Sequence, residues 1–261
     1  MAESTIIISG SQEELKEKTK ELASLQQEIA EKELLLSTFK RDLHLFEKHY
    51  HQEVGPKYAK LDNVRALVLE LAARLEPQKE QLRIDADAAR EEADQAIRNA
   101  HPIQNYTPIE KKSPPTEELK RFFREAAKKF HPDLTTDEKE RERRHKLMTR
   151  LNQAYNELDS TKIKALLNEW EDEEISETTM SFSERLVKTI RQISQIKARL
   201  QMIHHELTQL QNSEMFKLKA RVDSVKRNGR DIIQEMIAYL ETKISNAKSQ
   251  VRKLSNDLTY L

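Results

Sequence analysis

The stretch TEELKRFFREAAKKFHPDLTTDEKERERRHKLMTRLNQAYNELDS, residues 116–160, decides how the chain is organised. Its first part is an amphipathic helix. Thr116 can cap it, and Leu119, Phe122, Phe123, Ala126, Ala127 and Phe130 recur at helical spacing on one face. Lys120, Arg121, Arg124, Lys128 and Lys129 crowd the remaining surface. Pro132 lacks the amide hydrogen a helix interior needs, so the helix stops there, and His131 and Asp133 are expected on the following loop, facing solvent. A second helix follows, with Leu147, Met148, Leu151, Ala154, Tyr155 and Leu158 as its apolar stripe. Two helices joined by so short a loop pack antiparallel, with the turn at one end and the basic face beside it.

Working outward, this module, residues 117–170, lies between two segments with coiled-coil patterning. Residues 1–10 read as a tail. Ser11 and Glu14 form a capping box, and Leu15, Leu22, Ile29, Leu36, Leu43 and Tyr50 then fall seven apart. Leu25, Phe39 and Phe46 occupy the second seam position, which Lys18 and Lys32 interrupt. Gly55-Pro56 breaks the arm by a kink or by starting a new helix with Pro56 in its first turn. The apolar spacing resumes from Tyr58 to Leu75 and fades through an Ala- and charge-rich stretch to about residue 100, closing an N-terminal arm over 11–100. Four prolines make residues 101–116 a linker, and Glu171 to Glu174 open an acidic linker over 171–180. A C-terminal arm is expected over 181–261, on Ile193, Ile196, Leu200, Ile203, Leu207 and Leu210 and then Met215 to Leu261. A skip near residues 212–214 reads as a stutter, and Gly229 at a seam position as a weak point or a close approach.

Composition supports this reading. Of 261 residues, 34% are charged and 5% aromatic, with three glycines and no cysteine; the mean hydropathy of −0.81 leaves little material for one large core. The predicted class is all-α: long coiled-coil arms, arranged as an antiparallel hairpin, with a small helical module between them. The competing geometry uses Gly55-Pro56 as a turn that folds the first arm on itself, and a parallel homodimer through both arms is a further arrangement. Zero net charge argues against general nucleic-acid binding, and no segment has the apolar length of a membrane span, so the expected setting is cytoplasmic. No glycine-rich phosphate loop, nucleophile–base pair or metal-ligand motif is present, and neither enzymatic activity nor a cofactor or metal is expected. His44, His49 and His51 lack the i, i+4 spacing of a helical metal pair, and His204 and His205 point apart.

The module resembles the J-domain of DnaJ-type co-chaperones. The resemblance is carried by Leu119–Asp133, with the family's His-Pro-Asp at 131–133, and by LNQAYNEL at 151–158, which looks like the end of the family's third helix. It covers about a fifth of the chain. It implies a module that docks on a DnaK-type ATPase chaperone of the 70-kDa heat-shock family and stimulates ATP hydrolysis. The implied docking residues are His131, Pro132 and Asp133 on the turn and Lys120, Arg121, Arg124, Lys128 and Lys129 on the basic helix. The arms would then bind a client or assembly partner. The chain departs from the family before the basic helix, where PIEKKSPP stands in place of a first helix with a Tyr-x-x-Leu-Gly pattern. Ile163, Leu166, Leu167 and Trp170 are expected to cover the apolar face left open. The alternative is a coiled-coil scaffold whose J-like module is an adaptor that stimulates nothing.

Overall fold

A computed structural model describes residues 2–100, 114–171 and 181–259, with side chains over 12–98, 114–170 and 181–259. The described residues are overwhelmingly helical and carry no strand: α1 (Ala2–Glu53), α2 (Gly55–Leu75), α3 (Glu80–Ala100), α4 (Glu117–Phe130), α5 (Glu138–Glu157), α6 (Ser160–Glu171), α7 (Phe182–Asn212), α8 (Glu214–Lys226) and α9 (Ile232–Thr259). A 3-10 turn, Pro132–Leu134, separates α4 from α5. The all-α class with long helical arms is therefore observed. Most of the 101–116 linker and of the acidic 171–180 segment falls outside the described residues. The expected tail is instead the first turns of α1; extending a helix by a residue costs far less than nucleating a new one at Ser11.

The chain divides into two compact units, one of residues 1–42 and 113–213, the other of 43–112 and 214–261. In the first, α4 and α5 lie antiparallel: the Phe123 and Tyr155 rings meet at 5.0 Å, while Arg144, earlier on α5, reaches the His131 carbonyl at the end of α4. Ile163, Leu166, Leu167 and Trp170 of α6 close the module as expected, and Arg143 and Arg144 sit over the Trp170 ring. The remaining cover comes from α1. Ala30 and Leu34 belong to the same apolar cluster as Phe123, Phe130 and Tyr155. Beside them, Ser37 Oγ donates to Asn152 Oδ1 at 2.7 Å, and the Thr38 and Tyr155 hydroxyls pair at 2.6 Å.

A second stripe of α1, Leu22, Leu25, Ile29 and Leu36, packs on Ile196, Leu200, Ile203 and Leu207 of α7. The two helices run in the same direction, because Glu21 pairs with Lys197 while Lys40, further along α1, pairs with Glu206, further along α7. In an antiparallel pair these bridges would require Lys197 and Glu206 to exchange order. The hairpin expected of the arms is corrected on this point: α1 and α7 are parallel neighbours.

In the other unit, the reversal of the first arm falls at Glu76–Lys79, around Pro77, and not at Gly55-Pro56. Val54 keeps helical dihedrals, and its carbonyl still accepts from Lys57 and Tyr58, so the Gly-Pro step leaves the chain path unreversed. After Pro77, α3 returns along α2, and Arg90 reaches Asn63. That register sets buried Ala59 level with Ala93, and Ala66 level with Ala86. Four alanines permit close backbone approach, so dispersion contacts replace a leucine seam. On another face, Val54 and Leu61 cluster with Ile233, Leu240 and Ile244 of α9. The expected single C-terminal helix is three. Ser213 leaves helical dihedrals between α7 and α8, a break where a stutter was expected. Gly229, at φ +77°, turns the chain between α8 and α9. A Cβ there would meet nothing within 4 Å, so its role is the left-handed conformation and not a close approach.

If α1 is part of the module's core, Leu34→Ala should cost about 2–5 kcal/mol. Leu35→Ala, at a side chain 47% exposed, should change stability by less than about 0.5 kcal/mol. Denaturant unfolding of the full chain reads both, and equal effects would show that α1 does not seal the module.

Candidate functional site

The helix α4 is capped by Thr116, whose side chain accepts from the Leu119 amide, and it carries Glu117 and Glu118 in its first turn and Lys128 and Lys129 in its last. This order of charges suits the helix dipole. At His131 the backbone turns extended, and Pro132 opens the 3-10 turn. His131 Nδ1 accepts from the Asp133 amide at 3.1 Å, which places the ring proton on Nε2. Nε2 then donates to Glu33 Oε1 of α1 at 3.1 Å. The same oxygen receives Arg199 Nε of α7 at 2.7 Å. Arg199 continues to Glu206, and Glu206 to Lys40, so a chain of polar contacts runs from the turn into the α1–α7 seam.

The expectation that the turn faces solvent is corrected here. His131 is 2% exposed and Glu33 4%, and Pro132 is buried with them. A buried carboxylate draws in donors, and the imidazole beside it is one of the two it finds. Asp133 alone of the three keeps solvent access, its side chain 22% exposed. The loop beyond is held as firmly. Leu134 is buried among Ile29, Ile196 and Ile203, and its carbonyl accepts from Gln192 of α7. Gln195, its amide oriented to satisfy both neighbours, donates to the Thr135 carbonyl at 3.1 Å and accepts from Arg141 at 2.6 Å.

The basic residues are not equivalent. Arg121 and Lys128 are exposed, and the Arg121 guanidinium lies over the Phe122 ring at 5.0 Å. Lys120 is partnered by Glu117 and Lys129 by Glu125, each within α4. Arg124 lies 3.5 Å from Glu31 of α1. The structure thus gathers all eight sequence-predicted residues on one helix and its terminal turn; of the five cations, Arg121 and Lys128 are exposed, Lys120 and Lys129 pair within α4 and Arg124 pairs with α1, while Asp133 keeps partial solvent access. No protein-family model, curated protein or solved structure matches the chain.

Sequence reasoning missed Glu33, Arg199, Gln192 and Gln195. A signal existed for the first two. Glu33 is four residues after Ile29 and three before Leu36, and Arg199 lies between Ile196 and Ile203, so each charge sits at core spacing. The glutamines carry no such mark, since glutamine is common on any exposed helix face.

Burial pushes the Glu33 carboxyl up, but the hydrogen bonds from His131 and Arg199 and the charge of Arg199 outweigh it and hold it below its usual range. Its contribution is therefore complete above the ordinary glutamate value near 4.5 and is lost as pH falls through the lowered folded-state value. Glu33→Gln should destabilise the chain at pH 7, and its gap from wild type should narrow as pH falls below about 4. Urea midpoints of both proteins at pH 7 and pH 3 test this; a gap independent of pH would show that the carboxylate charge is not what the contact uses.

Proposed function

We propose that the chain is a J-like co-chaperone that recruits a DnaK-type ATPase chaperone through α4 and the His131-Pro132-Asp133 turn and stimulates its ATP hydrolysis. The observation that carries this reading is the antiparallel pair α4–α5 with the tripeptide at its joint and basic side chains along α4. The residue types suit the task. Cations along a helix accelerate encounter with an acidic surface. Asp133 offers a carboxylate for a charge-assisted contact with a partner arginine. Pro132 restricts the turn, so less freedom is lost on docking. The α1–α7 seam serves client binding or assembly.

One observation favours the second reading, a scaffold whose J-like module is a non-stimulating adaptor: His131 and Pro132 are buried against α1 and α7, where a partner has no access to them.

The two readings separate in an ATPase assay with a purified DnaK-type chaperone. Wild type should accelerate turnover, and Asp133→Asn should lose that acceleration while shifting stability by less than about 0.5 kcal/mol. Removing one partner of a docking ion pair weakens binding by about 2–5 kcal/mol, enough to abolish stimulation at micromolar protein. Reversing the charges of Arg121 and Lys128 should slow association, more at low salt than at high salt. Equal stimulation by wild type and Asp133→Asn would reduce the tripeptide to a helix stop.

A further inference from the structure

We infer that α1 and α7 form an autoinhibitory clasp on the His131-Pro132-Asp133 turn, so that the co-chaperone activity proposed above, on which this inference rests, is reduced in wild type to the fraction of molecules whose clasp is open. Three separate anchors converge on residues 131–135 of the loop between α4 and α5. Glu33 of α1 holds the His131 ring, and is itself held by Arg199 of α7. Leu134, directly after the tripeptide, is a plug in the apolar seam between α1 and α7, packed with Ile29, Ile196 and Ile203. Gln192 and Gln195 of α7 take the carbonyls of Leu134 and Thr135. Phe123 and Phe130 of α4 meet Tyr155 of α5 and Trp170 of α6 in an apolar cluster that Glu33, Leu134, Gln192 and Gln195 do not enter, so the contact between the two helices is made apart from these anchors. What the anchors accomplish is to remove His131 and Pro132 from solvent, leaving only the edge of Asp133 outside.

Docking by a turn so held requires the anchors to release, and a partner that binds only the released state has its affinity lowered in proportion to the released fraction. The coupling is reciprocal: whatever draws α7 away from α1 frees the turn, and a docked chaperone loosens the seam. A partner that competes for the Leu22–Leu36 stripe of α1 would thereby switch the turn on.

The test uses the full chain. Two variants open the clasp by different routes: Glu33→Ala removes the histidine's partner, and the double change Gln192→Ala with Gln195→Ala removes the carbonyl donors without touching the apolar core. Hydrogen exchange across residues 130–137 reports opening, and a purified DnaK-type chaperone reports ATPase stimulation. The expected result is faster exchange in both variants, with half-maximal stimulation at a concentration about tenfold or more below that of wild type. Adding Asp133→Asn to either variant should abolish the gain. Faster exchange with stimulation unchanged, or weakened, overturns the clasp while leaving the co-chaperone reading standing, because the anchors would then be neutral or positioning contacts. Faster exchange with no stimulation by wild type or either variant overturns the co-chaperone reading itself, and the clasp with it. Exchange that stays as slow as in wild type shows that these contacts do not hold the turn, and also overturns the clasp.

Discussion

A carboxylate removed from water requires donors, and the placement of Glu33 organises the structure around that requirement. Glu33 lies on the inner side of α1, where it takes one hydrogen bond from His131 and another from Arg199. The two donors come from different parts of the chain, so satisfying one acidic group brings the end of α4 and the middle of α7 to the same turn of α1. Breaking such a buried group of charges by removing one partner costs about 3–5 kcal/mol, much more than an exposed ion pair contributes. That contact ties the end of α4, α1 and α7 at one point, beside the apolar clusters that pack them together.

Helix α1 can occupy this central position because it carries two apolar stripes. Leu22, Leu25, Ile29 and Leu36 face α7, while Ala30 and Leu34, followed by Ser37 and Thr38, face the module. This second stripe covers part of the apolar face that Phe123, Phe130 and Tyr155 present. The geometry therefore makes α1 a component of the module as well as one side of a seam. Any function of the turn is then tied to the state of the arms, since Glu33 belongs to both.

Much of this was legible in the residues. The amphipathic pattern of α4, the stop at Pro132 and the stripe of α5 are local, and each appears where its spacing places it. The cover from Ile163, Leu166, Leu167 and Trp170 was legible for the same reason. Other features were not. The reversal at Glu76–Lys79 was obscured because α3 packs on α2 through Ala59, Ala66, Ala86 and Ala93, and alanines give a weak hydropathy signal even when fully buried. The break at Ser213 follows no proline or glycine. The parallel course of α1 and α7 could not be read from heptads, because a seven-residue repeat serves parallel and antiparallel neighbours alike.

By itself the sequence determined the amphipathic helices α4 and α5, the order of charges along α4 and the stop at Pro132, because these depend on neighbours within a few residues. Tertiary structure alone decided where the His131-Pro132-Asp133 turn faces. A proline ends a helix whatever lies beside it, but whether the histidine before it meets solvent or a glutamate nearly a hundred positions earlier depends on which long-range packing buries the most apolar surface. In this chain the packing places Glu33, Leu134 and Arg199 together, and the tripeptide is drawn inward with them.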